Sequence, residues 1–416
     1  MDSTNSRPRR FRMSAAFRVA AALGLAQIQG HRYEGMLAEA ISLQPEGAPE
    51  RGFLECELAR RCGFRGEHGE SLRRLDVAFA IADRTGNRHL ELRALETRAA
   101  TDDFGGRVGL DDHVRAAALA DELGDTAVAA SANTMAALGH SAYTLDLGAA
   151  LRHAEAGRRA AEKTGLSTLI VSAAYMESLT HLHLGDVSNR EALERALELA
   201  PLDPRIISTR LFFALASGDD QEAEATLETF DHLDRELRGN LRRTYAFIVW
   251  GPLSYAVWWW ATGAASARDM AIRLCEEFES QPVRALGTDR IIQPTRGLVA
   301  IASGDAARIA AWHDEPDAGE SWRYSGLPPL EVVRGLADER LGRPAEALFH
   351  YNEAYDVYRP SLWCWPIAAL ERARLLMEMG DPGAGDAIDE VLEVTTRHGL
   401  RRWQEKALAL KKILKA

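Results

Sequence analysis

The chain of 416 residues carries 12 histidines, 4 cysteines and 61 acidic side chains, the groups able to hold a metal, attack an electrophile or move a proton. Their spacing points to none of these chemistries. His181 and His183 stand two apart in THLHLG, which on a helix turns the rings about 200° away from each other. No HExxH motif occurs, and His140 and His153 are too far apart for helical periodicity to relate them. The acidic group Asp102, Asp103, Asp111 and Asp112 beside His113 has carboxylates that a hard cation would want, but lacks the alternation and central glycine of a calcium loop. Asp111 or Asp112 is expected instead to cap a helix beginning near His113, and Asp219, Asp220 and Glu222 to favour another helix start. There is no GxSxG elbow, and Cys275 and Cys364 lie in apolar settings that suit buried structural thiols. GRRAAEKT at residues 157–164 lacks the glycine a phosphate loop needs before Lys163. The expectation is no catalytic residue, no metal and no cofactor, which leans against an enzyme.

Aromatic residues offer more. All nine tryptophans fall between Trp250 and Trp403. Trp258, Trp259 and Trp260 are consecutive, so on a helix their side chains sweep about 200°, wider than an ordinary buried stripe. Trp312, Trp322 and Tyr324 gather around an expected loop, and Trp363 and Trp365 flank Cys364. Together with Trp250 and Tyr255 these residues are the candidate ligand-binding set, because aromatic-lined grooves take peptides, apolar molecules or cations by stacking and cation–π contact. Packing between helices is the competing explanation.

These side chains need a scaffold, and composition narrows its kind. With 46% hydrophobic and 27% charged residues the chain can bury a sizeable core. Its 50 basic against 61 acidic residues leave a formal charge of −11, which works against neutralising a phosphate backbone, so nucleic acid is not an expected partner. Four cysteines without a CxxC pair suit a reducing, cytoplasmic setting, and the strong preference for Arg over Lys suggests a GC-rich bacterial genome. The arginines near the N-terminus read as a basic flexible tail over 1–13 rather than an export signal. The uncharged run 246–265 is long enough to span a membrane, but Gly251-Pro252 interrupts it and arginines flank both sides. Two buried helices meeting at that Gly-Pro turn are expected, and no membrane association.

The scaffold reads as repeated helices. ADRTGN, ADELGD, AEKTGL and TTRHGL each place a glycine where a helix ends, and the first three glycines, Gly86, Gly124 and Gly165, recur at intervals of 38 and 41 residues. From Gly335 onward, Gly342, Ala347, Tyr351 and Ala354 follow at steps of 7, 5, 4 and 3, with Pro360 beyond. This spacing resembles the tetratricopeptide repeat, in which the first glycine admits a close neighbour, the second turns the chain, and the small and aromatic residues interlock. Glu331 departs from the pattern, standing where a large aromatic is usual. Weaker echoes occur at Gly218, Ala223 and Leu227, and at Gly297 with Gly304. No segment alternates like a strand.

The resemblance implies an all-α, right-handed superhelix of nine to eleven helical hairpins, about twenty helices. It divides into repeats over 14–240 and tryptophan-rich repeats over 241–416. The forty-residue form is similar to the C-terminal repeat region of bacterial LuxR-type and ATPase-linked regulators, which implies a regulatory, non-catalytic scaffold binding a peptide or protein segment in its concave groove. The alternatives are a small apolar or aromatic ligand, or an enzyme, in a C-terminal aromatic pocket, and a homo-oligomerisation module.

Overall fold

The computed structural model describes residues 30–105, 109–237, 245–280, 286–315 and 328–415. Among these residues it contains twenty α-helices, one short π-helical turn and no strand. The fold is all-α, built largely of successive helices packed on their neighbours as hairpins. The chain divides into two compact units, Met1–Gly105 and Gly106–Ala416. The basic tail expected over 1–13 lies outside the described residues, and the division expected near residue 240 falls within the second unit.

The first unit holds α1 (Gly30–Ser42), α2 (Pro49–Phe64), α3 (His68–Thr85) and α4 (Arg88–Gly105). Proline opens α2, at the position where a missing N–H costs nothing. Leu75, Ala78, Ile81 and Ala82 of α3 pack on Cys56 and Ala59 of α2 and on Leu90 and Ala94 of α4.

The second unit begins with α5 (Leu110–Leu123), α6 (Thr126–Gly139), a π turn (His140–Thr144), α7 (Leu147–Thr164), α8 (Ser167–His183), α9 (Glu191–Leu199) and α10 (Pro204–Ser217). It continues with α11 (Asp220–Leu237), α12 (Tyr245–Thr262), α13 (Ala265–Glu279), α14 (Leu286–Ser303), α15 (Ala306–His313) and α16 (Leu330–Arg340). The last four are α17 (Pro344–Val357), α18 (Trp365–Glu378), α19 (Ala384–Arg397) and α20 (Arg401–Leu414). The glycines picked out by spacing end their helices as a left-handed cap requires: Gly86, Gly124, Gly165 and Gly399 have φ of 63°, 71°, 66° and 66°. In the α16–α17 hairpin Gly335 lies directly under the Tyr351 ring, where any Cβ would collide with it. Gly342 turns the chain at φ 75°, and Ala347, Tyr351 and Ala354 are fully buried. Glu331, the residue out of pattern, accepts a hydrogen bond from the Tyr358 hydroxyl at 3.0 Å.

Two local expectations are corrected. Residues 246–265 do not form two helices: α12 runs unbroken through Gly251-Pro252. A proline inside a helix normally costs about 3 kcal/mol, but here every residue from Trp250 to Trp258 is buried, so packing on all sides holds the axis. The Ser254 hydroxyl, donating to the Trp250 carbonyl at 2.8 Å, adds a side-chain bond at the same place. Among the described residues no helix is long and apolar enough to cross a membrane. The second correction concerns Asp111 and Asp112, which lie within the first turn of α5 instead of capping it, since that helix starts at Leu110 after Gly109.

The second unit also makes contacts that a simple stack of neighbours would not. The Leu362 amide donates to the His183 carbonyl at 2.7 Å, across 179 positions of chain. Beside it His183 Nδ1 lies 2.7 Å from Ser361 Oγ. Phe212 of α10 meets Trp363 with ring centroids 5.9 Å apart, and Trp260 of α12 meets Trp403 of α20 at 5.6 Å. Arg402 reaches Asp220. Thus α8, α10, α11 and α12 each meet segments beyond residue 360, and one continuous core runs from Ala137 to Ala407.

Candidate functional site

The buried helix α12 is the hub around which the second unit offers cavities, because it packs against α10, α13 and α14 at once. On one flank, α6, α8, α10 and α12 enclose a cavity of about 280 Å³. Its wall is largely apolar, with Met135, Leu138, Leu169 and Met176 joined by Trp250 and Tyr175. Those two rings meet edge to face at 6.0 Å. Arg205 is the cavity's cation, but it is engaged: it pairs with Asp203 at 2.7 Å and lies 5.6 Å over the Tyr175 ring.

On the other flank, α11, α12 and α13 border a more open cleft of about 440 Å³. Glu224, Glu228 and Asp231 stand at i, i+4 and i+7 of α11, one face of a helix, and form its acidic edge. Tyr255 and Trp258 make its aromatic floor, and Ser266, Ala267 and Met270 its far side. Helix periodicity explains the arrangement, since Ala223, Leu227 and Phe230, each one position before a carboxylate, are buried. The Tyr255 hydroxyl donates to the Leu227 carbonyl at 3.1 Å. Burial, with Asp231 and Asp234 nearby, raises its pKa, so it stays a neutral donor. Asp231 is paired with Arg235 at 3.1 Å, whereas Glu224 and Glu228 are exposed to solvent.

The ten aromatic residues picked out in the sequence do not gather in one pocket. Trp250 lines the apolar cavity, and Tyr255 and Trp258 line the acidic cleft. Trp259 and Trp260 are half-buried, the latter beneath Lys406 at 5.1 Å. Trp312 is buried on Gly297, its indole N–H donating to the Gln293 carbonyl at 3.1 Å. Trp363 is fully buried against Phe212, and Trp365 is buried beside Tyr355. Trp322 and Tyr324 lie outside the described residues.

The other reactive side chains sort in the same way. All four cysteines are free and buried, and burial pushes the thiols of Cys56, Cys275 and Cys364 up to about 12, far from a reactive thiolate. His140 and His153 stack at 5.4 Å, and His153 bonds Asn133 at 2.8 Å. His181 and His183 are separated as the helix requires, one beside Asp186 and the other buried at Ser361. One set escaped the sequence reading, which expected no metal: His313, Asp338 and His350 bring three ligating atoms within 4.8 Å of one another. They come from α15, α16 and α17, so no spacing within one helix announces them.

No protein-family model matches the sequence, and no curated protein does. Solved structures give distant likenesses. A monomeric IFIT1 mutant with Gppp-AAAA has a TM-score of 0.36 at 14% identity, over 86% of this chain and 72% of that one. The human IFIT1 dimer with m7Gppp-AAAA has a TM-score of 0.35 at 14% identity, over 86% and 71%. Naa15/Naa10 bound to HypK-THB has a TM-score of 0.19 at 12% identity, over 95% and 67%. At these scores they assign no role to any residue here.

Proposed function

We propose that the protein is a non-catalytic, regulatory helical-repeat scaffold that binds a peptide or protein segment through a basic side chain placed in the cleft between α11 and α13. The observation that carries this reading is the acidic edge of Glu224, Glu228 and Asp231 over the floor of Tyr255 and Trp258. Carboxylates would pair with a guanidinium or ammonium while an aromatic face accepts its charge, a combination that rewards Arg more than Lys. The open form of the cleft suits a chain passing through it, and a polypeptide partner fits the chain's net charge of −11 better than nucleic acid does. Cysteine usage supports a cytoplasmic setting.

The test is a library of short peptides with Arg or Lys scanned through each position, measured by titration calorimetry at two ionic strengths. Binders should prefer Arg, weaken with salt, and lose about tenfold or more in affinity with the double variant Glu224→Gln, Glu228→Gln. Both positions are exposed, so this variant should fold normally. Basic peptides that bind the double variant as well as the parent would remove the cleft from consideration.

A second reading rests on the cavity beside Trp250, whose apolar wall and volume of about 280 Å³ suit a small apolar molecule. Native mass spectrometry of the purified chain should then show a retained mass that Ser172→Trp, which fills the cavity, abolishes.

A further inference from the structure

The trio of His313, Asp338 and His350 has the geometry of a metal site. His313 Nε2 lies 3.1 Å from Asp338 Oδ1, and His350 Nε2 lies 3.5 Å from Asp338 Oδ2. Ligand atoms about 2 Å from a tetrahedral zinc ion stand about 3.3 Å from one another, so these separations leave room for one ion. The short contacts are not hydrogen bonds. Among the described residues both ring nitrogens of His313, Oδ2 of Asp338 and Nδ1 of His350 are buried without a hydrogen-bond partner. Such atoms would be expected to find partners, and here the carboxylate oxygens face the rings without the alignment that N–H donation requires.

The surroundings fit as well. The Asp338 side chain is 2% exposed, with the two rings at 18% and 17%, so a buried anion sits under a partly open pair of imidazoles. Each ring has a carboxylate near its other nitrogen: Asp314 Oδ1 is 3.7 Å from His313 Nδ1, and Glu353 Oε2 is 3.8 Å from His350 Nδ1. Acidic groups in that place orient a ligating histidine and raise its basicity. Two cations oppose an ion here: Arg343, half-exposed and 3.8 Å from Asp338 Oδ1, and Arg334, whose charge acts on His350.

We propose that His313, Asp338 and His350 bind one divalent ion of the zinc class, with Nε2 of each ring and one carboxylate oxygen as ligands and solvent in the fourth position. Two imidazoles select a first-row transition ion over Mg²⁺ or Ca²⁺, which want oxygen ligands throughout. The ion would join three successive helices at a point where α15 is only eight residues long. This site is distinct from the α11–α13 cleft and does not depend on it.

The experiment uses the full chain, freed of any affinity tag and stripped with a chelator. Co²⁺ is titrated and its visible absorption followed, then Zn²⁺ affinity is measured by competition with a chromophoric chelator. One equivalent of Co²⁺ with the intense bands of a tetrahedral site is expected, displaced by Zn²⁺ and not by Mg²⁺ or Ca²⁺. His313→Gln, His350→Gln and Asp338→Asn should each weaken Zn²⁺ by more than about tenfold, and Glu353→Gln by about that much. Zn²⁺ should also raise the thermal midpoint of the parent and not of a histidine variant that keeps the parent's far-UV spectrum. Should any single variant lose its helicity, the parent's Co²⁺ spectrum and stoichiometry still decide. Weak octahedral bands, or Zn²⁺ affinity unchanged in the two glutamine variants, would overturn the proposal.

Discussion

His183 makes the contact between α8 and the segment before α18 sensitive to pH. The side chain is fully buried, bonded through Nδ1 to Ser361, and burial holds its pKa down at about 4 against an ordinary 6.5. Between those values the unfolded chain binds a proton that the folded chain refuses. Stability is therefore complete above about pH 6.5 and falls as the pH drops toward 4, by about 3 kcal/mol in all. Urea midpoints at pH 7.5 and 5.0 should show the loss, and His183→Gln, which cannot be protonated, should flatten it. Gly335 belongs to the same scale. A methyl group there would collide with Tyr351, so Gly335→Ala should lower the unfolding free energy by roughly 1 to 3 kcal/mol, with partial recovery when Tyr351 is cut back to Leu.

Single helices depend on how their ends are finished. Helix α15 has eight residues and an Asp305 side chain that accepts from the Ala307 and Arg308 amides. Asp305→Ala should cost about 1 kcal/mol, and hydrogen exchange should show the loss first in α15, which carries Trp312 and His313. Such ends were legible in the sequence, because a left-handed cap demands glycine locally: Gly86, Gly124, Gly165 and Gly399 needed no tertiary information. The interlock of Gly335, Gly342 and Tyr351 was legible too, as a pattern inside one hairpin. The course of α12 was not, since Pro252 is tolerated only through neighbours brought from α10, α13 and α14. The candidate cleft escaped for a related reason. Glu224, Glu228 and Asp231 read by themselves as a solvated helix face, and only the floor of Tyr255 and Trp258 beneath them gives that face a use. His313, Asp338 and His350 meet through three separate helices, which no periodicity within one helix reports.

At the scale of the second unit, four of the nine tryptophans, Trp258, Trp260, Trp363 and Trp403, lie where the last segments of the chain meet earlier helices. Trp363 covers Phe212, Trp403 covers Trp260, and Arg402 lies 6.0 Å over Trp258. A terminal repeat of an open stack contacts only its neighbour, so trimming it leaves distant repeats intact. Here removal of residues 401–416 should strip cover from α10 and α12 as well as from α19. Hydrogen exchange should show α10 and α12 losing protection together with α19; loss confined to α18 and α19 would contradict this linkage. The His183–Ser361 contact also sets a schedule for synthesis. These partners are 178 residues apart, and a ribosome adding about 5 to 20 residues per second needs about 9 to 36 s to make the second after the first. In the later part of that interval Phe212 and its neighbours have left the ribosome without their final cover, a period in which a chaperone, or a second nascent chain, can reach a surface that the finished protein hides.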